Sequence, residues 1–362
     1  MYTLEEKICI LFGENYVAAN KFFQVWNLFE GAENLIANFA QSKECEKLLG
    51  NSYFELKTSL KKQVVDKIID DMNKHEVFAV TWFSSDYPAQ LRDIPDPPYV
   101  LFCKGNAKLL SSDCLAVIGT RKVSSYGRRI AKDFTAILSE YFTIVSGLAY
   151  GVDSIAHETT LDEKGATIAV LGGGILNVYP SANQALADRI VANDGLVVTE
   201  YGMRMEPLPY HFPHRNRIVS GLSRGVLVCQ APAKSGTMST VDLALDQGRD
   251  VFVVPGEIYD AGFSGSNRLI KSVQSACVTT PRDIVDFYGF DTRKAASSSY
   301  QVSIEEQVIV NALACGPLSF DELIAQTGIV PSDMNFMLAN LEIKSIIVRL
   351  PGNLYRLYGG IE

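Results

Sequence analysis

The sequence lacks the features that mark membrane, secreted and metal-binding proteins. In its 362 residues no apolar run approaches the roughly 18 residues that a membrane-spanning helix needs. Its start, Met1-Tyr-Thr-Leu-Glu-Glu-Lys, has no basic segment followed by an apolar stretch, so we expect no secretory signal peptide. The seven cysteines are scattered and none forms a Cys-x-x-Cys pair, which argues against a zinc site and a disulfide framework. These absences predict a cytoplasmic protein with reduced thiols and no bound metal.

The sequence also lacks net positive charge. Its formal charge is −8, which argues against a protein that coats DNA through bulk charge. The basic residues are nevertheless concentrated. Residues 119–132 carry five basic side chains and no acid, and residues 204–224 carry four arginines with Glu206 as the single acid. We therefore expect a local basic surface built by the middle of the chain.

Residues 1–75 show apolar periodicity without proline. Leu60, Val64, Ile68 and Met72 recur every four residues, as expected for one face of a helix. We predict that this block is a small helical N-terminal domain.

Residues 76–290 alternate short β-branched runs with amphipathic segments. From Leu115 onward, successive runs lie about 20 to 30 residues apart, a spacing typical of βαβ units. Two earlier runs, at 77–80 and 99–103, are expected to extend the same sheet. The predicted fold class is α/β, with a Rossmann-like, mostly parallel sheet in this domain.

The end of the chain predicts a linker and a winged-helix module. Residues 291–301 are small and polar, as in a linker, and residues 302–362 show three helical patterns and a hairpin that turns at 351–353. Residues 296–362 hold seven acids against three basic residues. That balance favours a protein contact over a grip on duplex DNA.

The first informative turn follows the strand predicted from Leu115. Gly119 allows a tight turn before Thr120, Arg121 offers a fork of donors, and Ser124 or Ser125 can cap the next helix. Because ligands of open α/β sheets bind where strands end and helices begin, this turn is a candidate for phosphate binding.

Two further turns carry glycines after predicted strands. Ser146 and Gly147 precede one helix, and Gly172, Gly173 and Gly174 end another strand. Glycines permit a close approach to the backbone. We therefore predict that these positions offer bare backbone to a phosphate or sugar.

Residues 211–217 combine cations, an amide and an aromatic ring. Phe212, Arg215, Asn216 and Arg217 suit phosphate contact with base stacking, which single-stranded nucleic acid requires. The two histidines of this segment have His-x-x-His spacing, but Pro213 is expected to break the helix that would bring them together on a metal.

A last turn combines a lysine with hydroxyl groups. Lys234, Ser235, Gly236 and Thr237 lie between a predicted strand and a predicted helix, as in an anion-binding nest. The spacing does not fit a Walker A loop, so ATP hydrolysis is not indicated.

From the residues alone, three functions stay open. The first is nucleic-acid binding without catalysis. The second is a Rossmann-like enzyme that binds or hydrolyses nucleotides, with Glu200 as acid or base. The third is an interaction scaffold. We find no Gly-x-Gly-x-x-Gly fingerprint and no convincing nucleophile–base pair, so we expect no cofactor, no catalytic residue and no enzymatic activity.

The ordered motifs resemble the DNA-processing protein A (DprA/Smf) family over residues 80–285. The matching segments include Gly119-Thr-Arg, Ser146-Gly-Leu-Ala, Gly151-Val-Asp, Tyr179-Pro, Phe212-Pro with Arg215-Asn-Arg, Lys234-Ser-Gly-Thr, Gly248-Arg and Pro255-Gly.

The resemblance implies a recombination mediator in natural transformation. Such a protein would bind and protect incoming single-stranded DNA, load the RecA recombinase and displace single-strand-binding protein. It would act as a homodimer. Arg121, Arg215, Asn216, Arg217 and Lys234 fall on the family's basic motifs and would line its DNA groove.

Overall fold

The computed structural model describes residues 2–61, 64–272, 274–290, 303–314, 316–343, 346–350 and 354–357. The chain forms two compact units, Met1–Phe290 and Asp291–Glu362. The first unit includes both the predicted helical domain and the predicted α/β domain, so the boundary at residue 75 stays a prediction. The predicted linker at 291–301 lies outside the described residues.

Helices occupy the start of the first unit. They are α1 Leu4–Glu14, α2 Ala19–Trp26, α3 Ala32–Asn38, α4 Lys43–Leu49, α5 Asn51–Lys61 and α6 Val65–Lys74. Thr3 and Glu6 start α1 with a reciprocal capping box. The rings of Phe22 and Phe39 meet Phe12 edge-on, with centroids 5.5 and 5.9 Å away, and form a buried aromatic core.

The apolar residues that recur every four positions from Leu60 to Met72 lie on two helices and not on the single helix that was predicted. Leu60 lies on α5, whereas Ile68 and Met72 lie on α6. The apolar spacing continues across the junction of the two helices, so periodicity alone could not mark that junction.

A nine-stranded sheet follows. Its strands are β1 Phe78–Thr81, β2 Val100–Gly105, β3 Cys114–Gly119, β4 Thr143–Ser146, β5 Thr167–Val170, β6 Leu196–Thr199, β7 Gly225–Gln230, β8 Asp250–Val253 and β9 Ala276–Cys277. Their order is β1-β2-β6-β5-β4-β3-β7-β8-β9. The pairs β1–β2 and β2–β6 are antiparallel and the others are parallel, which confirms the predicted mostly parallel α/β sheet.

The strand order creates a switch point between β3 and β7. From β3 the chain builds outward through β4, β5 and β6, and then returns to add β7 and β8 on the other side of β3. The helices that follow these strands therefore diverge at the carboxyl ends of β3 and β7, where open α/β sheets form a ligand crevice.

Eight helices accompany the sheet. They are α7 Ala89–Arg92, α8 Ser125–Leu138, α9 Val152–Asp162, α10 Gln184–Ala192, α11 His211–Leu222, α12 Gly236–Asp246, α13 Ser264–Lys271 and α14 Pro281–Phe287. Apolar side chains from the strands, among them Leu115, Val117 and Val228, are fully buried. In the described part of the chain, no helix has the length and apolarity to cross a membrane.

The second unit has the helices and hairpin of a winged helix. It contains α15 Ile304–Leu313, α16 Phe320–Thr327 and α17 Pro331–Ile343, with strands β10 Leu318–Ser319, β11 Ile347–Leu350 and β12 Leu354–Leu357 in the order β10-β12-β11. Ser319 and Glu322 form a capping box at the start of α16. The predicted turn at 351–353 lies outside the described residues.

Candidate nucleic-acid interface

A groove of about 820 Å³ opens at the switch point between β3 and β7. The predicted residues that line it are Gly119, Thr120, Arg121, Gly147, Phe212, Arg215, Asn216, Lys234, Ser235, Gly236 and Thr237. The other predicted residues, which lie outside its lining, are Ser124, Ser146, Gly172, Gly173, Gly174 and Arg217.

Several lining residues were absent from the predicted site, notably Lys122, Asp153, Tyr179, Ala261 and Gly262. Lys122 belongs to the basic run at 119–132, and Tyr179 belongs to one of the segments that carry the family resemblance. Those two signals could have placed them in the site. Ala261 and Gly262 had no such signal, because only the fold brings their loop to the groove.

The turn after β3 depends on close packing. A Cβ at Gly119 would lie 2.5 Å from Val152 Cγ2 and 2.9 Å from the carbonyl oxygen of Gln230, so only glycine fits. The Thr120 N–H donates to the same carbonyl at 2.8 Å. Gln230 Oε1 accepts from the Ser124 N–H at 2.9 Å. The turn is thereby held against the end of β7.

Ser124 serves the helix that follows this turn. Its hydroxyl accepts from the Gly127 N–H at 3.1 Å and caps α8. This confirms the predicted cap, but the side chain stabilises the turn and does not line the groove.

Three cations on the groove are exposed and unpaired. Arg121, Lys122 and Lys234 are solvent-exposed, and none forms an ion pair with any residue that the structure describes. Their side chains are available to an external anion.

Two aromatic rings belong to the same groove lining as these cations. The Arg121 guanidinium lies 5.8 Å from the centroid of the Phe212 ring, and the Tyr179 ring packs against Phe212 with centroids 5.4 Å apart. Tyr179 is half exposed. The groove therefore combines cations with accessible π surface.

Arg215 forms the charged floor of the groove. It is 4% exposed, and its guanidinium donates to the carbonyl oxygens of Val170 and, at 2.9 Å, Gly147. Burial lowers the pKa of Arg215 to about 10, so it remains charged at neutral pH. Asp153 is buried nearby and accepts from the Gly147 N–H at 3.2 Å. Burial raises the pKa of the Asp153 carboxyl, while the Arg215 charge opposes that rise.

Helix α12 points its N-terminus at the groove. Ser235 precedes its first residue, Gly236, but its hydroxyl makes no capping hydrogen bond. The Ser235 Oγ is buried and has no hydrogen-bond partner among the described residues. An unpaired hydroxyl beside free helix N–H groups suits an anion.

The three consecutive glycines are not a ligand surface. Gly172, Gly173 and Gly174 are buried under the segment that enters α11. A Cβ at Gly172 would lie 2.8 Å from the Phe212 ring, and one at Gly173 would lie 3.0 Å from Pro207. The prediction of bare backbone is therefore wrong here, because the protein's own chain fills that space.

Ser146 is also buried away from the groove. It is fully inaccessible to solvent, and its hydroxyl donates to the Val117 carbonyl oxygen at 2.7 Å. Its role is to join β4 to β3, and the prediction that it contacts a phosphate is corrected.

Arg217 belongs to a buried ion network outside the groove. Its guanidinium donates to both carboxylate oxygens of Glu200, at 2.6 and 2.7 Å, and to Asp96 at 3.0 Å. His214 contacts the same two acids, at 3.3 and 3.0 Å. The prediction that Arg217 lines the groove is therefore wrong, since its donors are already occupied.

Glu200, the candidate acid or base of the enzyme hypothesis, belongs to this same ion network. Burial would raise the pKa of Glu200, but Arg217 and His214 beside it hold that pKa below its usual range. Glu200 is thus an ionised partner in a buried network and does not line the groove.

Pro213 does not break the helix as predicted. It lies in the first turn of α11, His211–Leu222. A proline is tolerated there because the first N–H groups of a helix have no partner within the helix.

The histidines are engaged in packing. The His211 ring stacks on Tyr201 with centroids 4.1 Å apart. His157 Nδ1 lies 2.7 Å from the Thr167 hydroxyl, and burial lowers the pKa of His157 to about 3, which keeps it neutral. Among the described residues, no group of three His, Cys, Asp or Glu side chains is arranged to hold a metal ion.

Comparison with known proteins identifies the family. The model of the DNA recombination-mediator protein A family matches residues 78–289, and that of the DprA winged-helix domain matches residues 293–353. DNA processing protein DprA of Streptococcus pneumoniae is 43% identical over 204 residues, covering 56% of this chain and 72% of that protein. Protein Smf of Escherichia coli is 36% identical over 287 residues, covering 78% and 74%.

Two solved structures share the fold. The crystal structure of DprA from S. pneumoniae has a TM-score of 0.69 and 33% identity, covering 80% of this chain and 99% of that one. DNA processing protein A from Helicobacter pylori, described with a single-stranded DNA binding mode, has a TM-score of 0.54 and 30% identity, covering 59% and 95%. The chain, with its Rossmann-like sheet and winged-helix module, belongs to the DNA recombination-mediator protein A (DprA/Smf) family.

Proposed function

We propose that this protein binds single-stranded DNA in the groove at the switch point and acts as a recombination mediator. The observation that carries the proposal is that three cations without an ion pair among the described residues, Arg121, Lys122 and Lys234, line one groove with the Phe212 and Tyr179 rings. The single-stranded DNA binding described for the H. pylori relative supports the same ligand.

The groove suits both parts of a DNA strand. The exposed cations would neutralise backbone phosphates, and the Ser235 hydroxyl and the N–H groups at the α12 N-terminus would donate hydrogen bonds to one of them. The half-exposed Tyr179 ring and the Phe212 ring would stack on bases. In duplex DNA those base faces are already stacked, so the groove would prefer single strands.

The protein would act by binding and not by catalysis. The buried, ion-paired state of Glu200 argues against the alternative, a nucleotide-hydrolysing enzyme that uses this carboxylate. We further propose, from the family resemblance, that the bound DNA is protected in the cytoplasm and handed to the RecA recombinase during natural transformation. Displacement of single-strand-binding protein and action as a homodimer belong to the same proposal.

Fluorescence anisotropy with a labelled oligonucleotide tests the proposal. We expect the full-length protein to bind single-stranded DNA more tightly than the same sequence as a duplex. Arg121→Ala should weaken single-strand binding about tenfold, because it removes a charged donor. Arg189→Ala, which removes an exposed arginine outside the groove lining, is the matched control and should bind like wild type.

Two results would refute it. One is equal affinity of the Arg121→Ala variant and the wild type, which would mean that the DNA lies elsewhere. The other is release of base or phosphate from a nucleotide by the purified protein, which would favour the enzyme.

A further inference from the structure

Two large apolar side chains stand in solvent beside the groove. Ile258 is 80% exposed and Tyr259 is 94% exposed. They form the tip of the loop at 255–263, between β8 and α13. The Tyr259 ring makes no ring contact or hydrogen bond with any other described residue. Exposure of two neighbouring apolar side chains is unfavourable in water and is a feature of interaction sites.

Side-chain hydrogen bonds hold the backbone at both ends of the loop that carries this tip. The side chain of Asn267 accepts from the Gly256 N–H and donates to the Gly256 carbonyl oxygen, both at 3.1 Å. At the other end, Asp260 Oδ1 accepts from the Gly262 N–H at 2.7 Å. These hydrogen bonds fix the backbone on both sides of the tip.

An aromatic pair anchors the loop from beneath. The Phe263 ring is fully buried and packs against Tyr126, with centroids 5.5 Å apart. The Tyr126 hydroxyl donates to the Pro255 carbonyl oxygen at 3.4 Å. Anchoring the backbone of the loop lowers the conformational entropy that it would lose when a partner binds.

The tip adjoins residues that line the groove. Ala261 and Gly262 line it, and Tyr259 is two residues from Ala261, at most about 8 Å along the chain. A strand whose phosphates lie in the groove would pass this tip as it leaves.

The charges around the tip favour contact with a nucleobase over contact with the DNA backbone. Glu257 and Asp260 flank Ile258 and Tyr259, and Glu257 is exposed. Two carboxylates repel phosphates, so the surface they flank is unsuited to the DNA backbone. An uncharged aromatic face, such as a nucleobase, meets no such penalty.

We propose that Tyr259, supported by Ile258, is a second base-stacking contact, which takes a nucleobase of the strand next to those held in the groove. This rests on the proposed function of the groove. The cations of the groove bind phosphates, whereas the tip binds a base and leaves the phosphates facing away from its carboxylates.

The test measures single-stranded DNA affinity of the full-length protein at several salt concentrations. Tyr259→Ala should weaken binding about tenfold, as expected for the loss of one stacked base, and Tyr259→Trp should keep wild-type affinity. The salt dependence should not change, because no phosphate contact is lost. Phe54→Ala, which removes another exposed aromatic ring outside the groove lining, is the matched control and should have no effect.

An abasic oligonucleotide of the same length separates stacking from other effects. With it, wild type and Tyr259→Ala should bind equally, since there is no base to stack. Equal affinity of the two proteins for normal DNA would overturn the inference while leaving the groove intact, provided that Arg121→Ala still weakens binding. An equal loss on abasic DNA would also overturn it. If the wild type fails to bind single strands, the proposed function itself fails, and this inference with it.

Discussion

The Arg217 guanidinium holds both carboxylate oxygens of Glu200, at 2.6 and 2.7 Å, inside the protein. Two residues earlier on the same helix, Arg215 forms the floor of the groove. Arg215 of helix α11 thus lines the groove. Arg217 of the same helix binds the end of β6 through Glu200 and the loop that contains Asp96. The position of the groove residues depends on this buried pair.

Removal of Arg217 should destabilise the protein strongly. The Arg217 side chain is 5% exposed and that of Glu200 is 9% exposed, so Arg217→Ala leaves a buried carboxylate without the arginine that binds both of its oxygens. We expect a loss of roughly 3–5 kcal/mol in the free energy of unfolding, measured by urea denaturation. Arg189→Ala, which removes an exposed ion pair with Asp162, should cost less than about 1 kcal/mol. Similar stabilities of the two variants would contradict this role of the pair.

Stability should fall at alkaline pH because of His214. Hydrogen bonds to Asp96 and Glu200 raise the pKa of His214 from 6.5 to about 9. The folded protein therefore holds this proton more tightly than the unfolded chain. Its contribution is complete below pH 6.5 and is lost as the pH rises through about 9.

Urea unfolding between pH 6 and pH 10, at intervals of about one unit, measures this effect. His214→Gln keeps a polar side chain but cannot titrate, so it should lose that part of the pH dependence. The same pH dependence in both proteins would mean that another group is responsible.

Two glycines should respond differently to alanine. A Cβ at Gly174 would strike the backbone atoms of Gly202, Met203 and Met205, which cannot move aside cheaply. We expect Gly174→Ala to cost about 1–3 kcal/mol in unfolding free energy. At Gly236 a Cβ would meet no atom within 4 Å, so Gly236→Ala should fold with wild-type stability. Equal melting temperatures would show that Gly174 is not packed as described.

The exposed ring of Tyr179 should contribute to single-strand affinity. Because Tyr179→Ala removes a stacking surface, it should weaken binding of single-stranded DNA about tenfold. Tyr179→Phe keeps the ring and should restore the affinity. Both can be measured by fluorescence anisotropy. Weak binding by both variants would assign the effect to the hydroxyl and not to stacking.

The sheet could be predicted from the sequence because it depends on local patterns. Buried strands of a parallel sheet appear as short apolar runs, and the helices between them set the spacing. The turns at Gly119 and Lys234 could be placed for the same reason, since they directly follow strands.

From the sequence, both Arg215 and Arg217 were predicted to lie in the groove because Pro213 was expected to break the helix that carries them. Residues two apart on a helix point in nearly opposite directions, so Arg215 and Arg217 cannot both face one groove. A proline in the first helical turn is tolerated, and that fact would have revealed the helix. The burial of the glycines at 172–174 had no local signal, because the segment that covers them lies about 30 residues later in the chain.

The salt dependence of single-stranded DNA binding reports how many phosphates the groove cations neutralise. The three exposed groove cations predict a slope of about −2 for log affinity against log salt concentration, at roughly −0.7 per phosphate neutralised. The double variant Arg121→Ala/Lys234→Ala should reduce the magnitude of that slope to about 0.7. If the double variant keeps the wild-type slope, the phosphates are not bound in this groove and the proposed function of the groove is wrong.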